Sequence, residues 1–149
     1  MKILVAEDDP VSYHVLRKIL EYWNHDVKAV KDGAQALQLI KKQWKPDILL
    51  TDWIMPRMSG PDLIKELRSD PQFRDMYIIM LTAKDQMDDM VDGFISGVDD
   101  YISKPVSESE LKNAIENGKT FLMSDGSYID RSELIEKNIL KFKEKFHIR

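Results

Sequence analysis

Three observations predict an α/β fold for this chain: a doubly wound, five-stranded parallel sheet of (βα)5 order, with an additional C-terminal helix. Ile3-Leu4-Val5-Ala6, Ile48-Leu49-Leu50-Thr51 and Ile78-Ile79-Met80-Leu81 are apolar or nearly so throughout instead of alternating, as suits parallel strands covered on both faces. The stretches between them carry helical spacing, and strands alternating with helices form βαβ units. Charged or hydroxyl residues follow the runs: Glu7, Asp8 and Asp9, then Asp52, then Thr82, with Lys104 after the last strand. In open sheets, ligands bind outside the carboxyl ends of the strands near the switch in strand order. These residues are therefore expected to converge in one crevice.

The elements follow in order. A strand over 2–6 leads into a helix over 10–23, where Pro10 suits the first helical position, Asp9 the cap, and Val15, Leu16, Ile19 and Leu20 recur at helical spacing. A strand over 26–30 precedes a helix over 33–43 built on Ala36, Leu37 and Ile40. The strand over 47–51 precedes a helix over 60–69 with Leu63, Ile64 and Leu67 inward. The strand over 76–81 is followed by a helix over 86–96, a strand over 99–103 and a helix over 107–122 opened by the capping box Ser107-Glu108-Ser109-Glu110. Breakers at Gly60-Pro61, Asp70-Pro71 and Ser124-Asp125-Gly126 punctuate the chain. Beyond them, Ile135, Ile139, Phe142 and Phe146 are spaced as a helix with one apolar seam. An extra helix packed on its own domain, a homodimer seam and the start of a linker all fit that pattern.

At 149 residues, 43% hydrophobic, the chain supports one domain, assigned to 1–122, with a helical extension or linker start over 123–149. Cysteine is absent, which excludes a disulfide framework and thiolate metal sites. A strand beginning at residue 2 leaves no room for a cleaved leader, and no apolar run approaches the ~20 residues of a membrane span. A cytoplasmic location without membrane association is expected. The formal charge of −4 is uneven: residues 131–149 carry +3 and residues 1–130 carry −7. Six basic residues in the tail are a thin footprint for DNA, so direct nucleic-acid binding is not expected.

The pieces L-V-A-E-D-D-P, T-D-W-I-M-P-R-M-S-G, M-L-T-A and D-D-Y-I-S-K-P occur together, at a spacing that resembles the receiver domain of bacterial response regulators. The resemblance covers about residues 1–122 and implies a flavodoxin-like fold of the chemotaxis-Y kind. It implies that Asp52 accepts a phosphoryl group from a histidine kinase or phosphotransfer protein, the chain catalysing only its own phosphorylation and dephosphorylation. Mg2+ would be held by Glu7, Asp8, Asp52 and the backbone carbonyl of Ile54, with Glu7 acting through water. Hard oxygen ligands suit this ion, and a bound cation would relieve the mutual repulsion of clustered carboxylates. Lys104 and Thr82 would contact the phosphoryl oxygens, and Pro105 would follow a cis peptide bond.

By the same resemblance, Thr82 and Tyr101 form the switch, and residues 86–122 the face that meets a downstream protein or an output domain outside this chain. The helix over 11–22 would dock the donor. Ile54 and Lys84 stand where the family tunes dephosphorylation, and the apolar Ile54, unable to orient an attacking water, predicts a long-lived phosphorylated state. Two other readings fit the residues less well. An Asp-nucleophile phosphatase of the haloacid-dehalogenase type needs a second Asp two residues after the first, whereas Ile54 and Pro10 occupy those places. A degenerate receiver serving as a phosphorylation-independent contact module is disfavoured by the intact set Glu7, Asp8, Asp52, Thr82 and Lys104.

Overall fold

The computed structural model describes residues 1–83 and 97–123, with residues 136, 137, 139, 140, 143 and 144 of the tail. The helix expected over 86–96, with Lys84, lies outside the described residues. The elements are β1 (Lys2–Ala6), α1 (Pro10–Tyr22), β2 (Asp26–Val30), α2 (Gly33–Lys41), β3 (Ile48–Asp52), α3 (Gly60–Ser69), a 3-10 turn (Pro71–Phe73), β4 (Tyr77–Thr82), β5 (Asp100–Ser103) and α4 (Glu108–Met123). All pairings are parallel, in the order β2-β1-β3-β4-β5. The chain winds from β1 outward to β2, then crosses back to β3. The switch point therefore lies between β1 and β3.

Each helix starts where a short polar side chain satisfies a free backbone N–H. Asp9 accepts from Ser12 N, Asp32 from Gln35 N, and Ser59 from Asp62 N, while Ser107 Oγ accepts from Glu110 N at 3.1 Å. Such caps contribute about 0.5–2 kcal/mol each. The continuous apolar runs are buried on both faces, as parallel strands require. One face packs Leu4, Leu49, Ile78 and Met80 against Ala36, Ile40, Leu63 and Leu67 of α2 and α3. The other packs Ile3, Val5, Leu50 and Ile79 against Leu16 and Leu20 of α1 and Leu111 and Ile115 of α4. In the tail, the described residues are helical and Ile139 packs against the first of these clusters.

Beyond shifts of one or two residues at element ends, two details differ from expectation. Asp52 and Thr82 are the last residues of β3 and β4, not the first residues beyond them. The parallel ladder runs one residue further than the apolar run, pairing Asp52 with Leu81 and Thr82 with Ser103. The segment after Asp70 also forms a 3-10 turn, in which Phe73 is buried.

Candidate phosphoryl-acceptor and metal site

Register decides which side chains meet. Ala6 pairs with Thr51, so Glu7 and Asp52 emerge side by side at the switch point. Carboxylate oxygens of Glu7, Asp8 and Asp52 lie within 4.8 Å of one another. Glu7 is fully buried and Asp52 is 7% exposed, while Asp8 faces solvent. The cluster is thus closed below and open above.

Lys104 arrives from the end of β5, two strands from β3. Neighbouring strands lie about 4.8 Å apart, so only a long side chain can cross β4 to the acids. Its Nζ donates to Asp52 Oδ2 at 2.8 Å and lies 3.1 Å from Glu7 Oε2. The other Asp52 oxygen accepts from Trp53 N at 2.8 Å, and Glu7 Oε1 accepts from Asp9 N at 3.1 Å. Glu7 Oε2 is buried and has no aligned donor. Burial, and then the charge of Asp52, push the Glu7 carboxyl up to about 6, against the pull of Asp9 N–H and Lys104. For Lys104, burial favours the neutral amine, but the hydrogen bond and charge of Asp52, followed by Glu7, outweigh it and raise the pKa. Lys104 stays an ammonium.

The remaining expected residues surround this centre. Thr82 is buried at the end of β4, and its hydroxyl donates to Ala83 O at 3.2 Å. Tyr101 on β5 lies opposite Met80 and is 5% exposed. Its hydroxyl oxygen is buried too, and burial, then Asp100 and Glu110, raise its pKa to about 12. The Ile54 side chain is 63% exposed on the loop after β3. That loop closes on itself: Gly60 N donates to Trp53 O at 2.9 Å, and a Cβ at Gly60 would overlap Asp52 O. The Lys104–Pro105 peptide is cis. Beside the acids, Val11, Val15, Ile19, Leu81 and Pro105 line a cavity of about 240 Å³ between α1 and the loop after β5.

Two residues of the site's frame were not singled out from the sequence. Asp32 caps α2, which the Asp-Gly step could have signalled, and Arg57 ion-pairs with it. No local pattern marks Arg57.

Residues 3–116 match the family model of the response regulator receiver domain. A chemotaxis protein CheY homolog of Campylobacter jejuni is 33% identical over 118 residues, covering 78% of this chain and 91% of that protein. The response regulator MprA of Mycobacterium avium is 38% identical over 111 residues, 74% of this chain but 47% of MprA. Among solved structures, the receiver domain of the sensor histidine kinase PA1611 from Pseudomonas aeruginosa superposes with a TM-score of 0.71. It is 31% identical, covers 78% of this chain and 94% of that one, and holds a magnesium ion coordinated in its active-site cleft.

Proposed function

The chain belongs to the response-regulator receiver family, and on that premise we propose that it accepts a phosphoryl group on Asp52 and so alters a protein-contact face. The observation that carries this reading is the cluster itself: three carboxylates meet at the switch point with a lysine ammonium 2.8 Å from Asp52.

An Asp52 carboxylate oxygen attacks the phosphorus of a phosphohistidine on a histidine kinase or phosphotransfer protein. The new O–P bond forms as the P–N bond breaks, and the imidazole nitrogen leaves with the electron pair. Lys104 balances charge on the transferred oxygens, a task suited to a fixed cation already aimed at the acceptor. The oxygens of Glu7, Asp8 and Asp52, with the Ile54 carbonyl, fit a hard divalent ion in number and type. A bound Mg2+ would neutralise charge on the phosphoryl oxygens. The magnesium-bearing cleft of the PA1611 receiver domain supports that assignment.

The phosphoryl group adds about −1.5 to −2 of charge and new acceptors. Thr82 turns its hydroxyl from Ala83 O to this group, and Tyr101 adjusts to the space released. The face following β4 then meets a downstream protein or an output domain outside this chain. The half-length match to MprA is the reason for including the latter. The exposed Val11 and Val15, beside the cavity at α1, favour this edge for donor docking. On this reading, residues 1–122 are the receiver and 123–149 a helical extension; Ile139 against the core favours an extension over a free linker. The protein works in the cytoplasm, as a signalling module and not a turnover enzyme.

Incubation with acetyl phosphate and Mg2+, followed by intact mass measurement, tests the reading. Wild type is expected to gain one phosphate, and Asp52→Asn or chelation to abolish the gain. A folded, Mg2+-binding protein that gains nothing would instead be a contact module.

A further inference from the structure

Arg57 lies five residues beyond Asp52 and has a left-handed φ of 65°. Met58 N donates across it to Pro56 O at 2.7 Å. A hydrogen bond spanning one residue of positive φ is a rare and strained turn, and such strain persists only where the surroundings enforce it. Two contacts enforce it here. Arg57 Nε donates to Asp32 Oδ2 at 2.8 Å, with Nη2 on the same oxygen. Gly33 N donates to Met58 O at 3.1 Å, and a Cβ on Gly33 would overlap that carbonyl.

Asp32 is fully buried, and both of its oxygens are committed. Oδ1 caps α2 through Gln35 N at 2.7 Å, while Oδ2 takes Arg57. The loop after β3 is therefore pinned at one end by Gly60 on Trp53, and at the other by Arg57 and Met58 on the start of α2. Ile54 lies between these anchors. Mg2+ demands near-ideal octahedral geometry at about 2.0–2.1 Å, so small displacements of a backbone ligand are felt.

We propose that the Arg57–Asp32 ion pair is a positioning device for the divalent-cation site, holding the loop that carries the Ile54 carbonyl in one conformation beside the acidic cluster. The inference rests on the Mg2+ reading above. Arg57 acts through the loop and not on the reacting group.

Charge alone predicts the opposite sign for one variant. Removing the Arg57 cation from the neighbourhood of three carboxylates should tighten cation binding, whereas loss of positioning loosens it. The experiment is a calorimetric Mg2+ titration of wild type, Arg57→Ala, Arg57→Lys and Asp32→Asn, with folding checked by circular dichroism. Asn at position 32 retains a side-chain oxygen for Gln35 N, so Asp32→Asn and Arg57→Lys carry the test if Arg57→Ala fails to fold. Arg57→Ala and Asp32→Asn are each expected to weaken Mg2+ binding roughly 10-fold, the usual effect of losing a residue that orients a ligand. Arg57→Lys should retain part of the affinity, and the double variant should be no worse than either single one. Unchanged or tighter binding in the folded variants overturns the proposal and leaves the receiver reading intact. A wild type that binds no Mg2+ overturns both.

Discussion

Glu7 is a residue whose chemistry is set by its place in the fold. Its carboxyl, ordinarily near 4.5, is raised to about 6, chiefly by burial and then by Asp52. The folded chain therefore holds this proton more tightly than the unfolded chain. Between about pH 4.5 and 6 the native state binds more protons, so stability falls as pH rises through that window. A shift of roughly 1.5 units corresponds to at most about 2 kcal/mol, because the crevice above the cluster is open to water and screens part of it. In chelator, wild type is expected to lose up to that much of the unfolding free energy between pH 4.5 and 7 relative to Glu7→Gln, measured by guanidinium titration at both values. Saturating Mg2+ should offset the loss at pH 7, because the ion favours the ionised carboxylate.

At the scale of the elements, Arg68 near the end of α3 binds the lower edge of the sheet together. Its guanidinium donates to Gly97 O, Arg74 O and Met76 O at 2.7–3.0 Å and pairs with Asp99 Oδ2 at 2.8 Å. The same Asp99 oxygen accepts from Ile78 N at 2.8 Å, which ties α3 to β4 and to the strand entry of β5. Both side chains are nearly dry, at 13% and 1% exposure. Removing one partner from such a pair leaves a buried charge, at a cost of about 3–5 kcal/mol. Arg68→Ala is expected to lose that much stability in a urea melt. Phosphate gain at Asp52 should persist in whatever fraction stays folded, since the clamp sits at the opposite end of the strands.

For the whole molecule, the tail sets the remaining question. Both core clusters close around the sheet, and Ile139 is an addition at the margin of one of them. Counting the one described tail residue that packs on the core, Ile139, a chain ending at residue 123 is expected to fold and to be destabilised by about 1 kcal/mol. Thermal melts of the two lengths measure this. A much larger loss would make the tail part of the core.

Local chemistry made most of the architecture legible. Continuous apolar runs marked β1, β3 and β4, the 3.6-residue spacing marked the helices, and Asp9, Pro10 and Ser107 marked where helices start, because each signal depends only on near neighbours in the chain. The acids and Lys104 were legible as strand-end residues for the same reason. That Lys104 reaches both Asp52 and Glu7, that the ladder extends to include Asp52 and Thr82, and that Tyr101 is buried with its hydroxyl were decided by packing. The pairings of Asp32 with Arg57, 25 residues apart, and of Arg68 with Asp99, 31 apart, had no local signal. Periodicity tells which face of an element is buried, but not which distant side chain will be brought against it. The sequence by itself determined the order of elements and which polar residues stand at the strand ends, while the parallel register and the crossing at the switch point decided their distances, their burial and hence their charges.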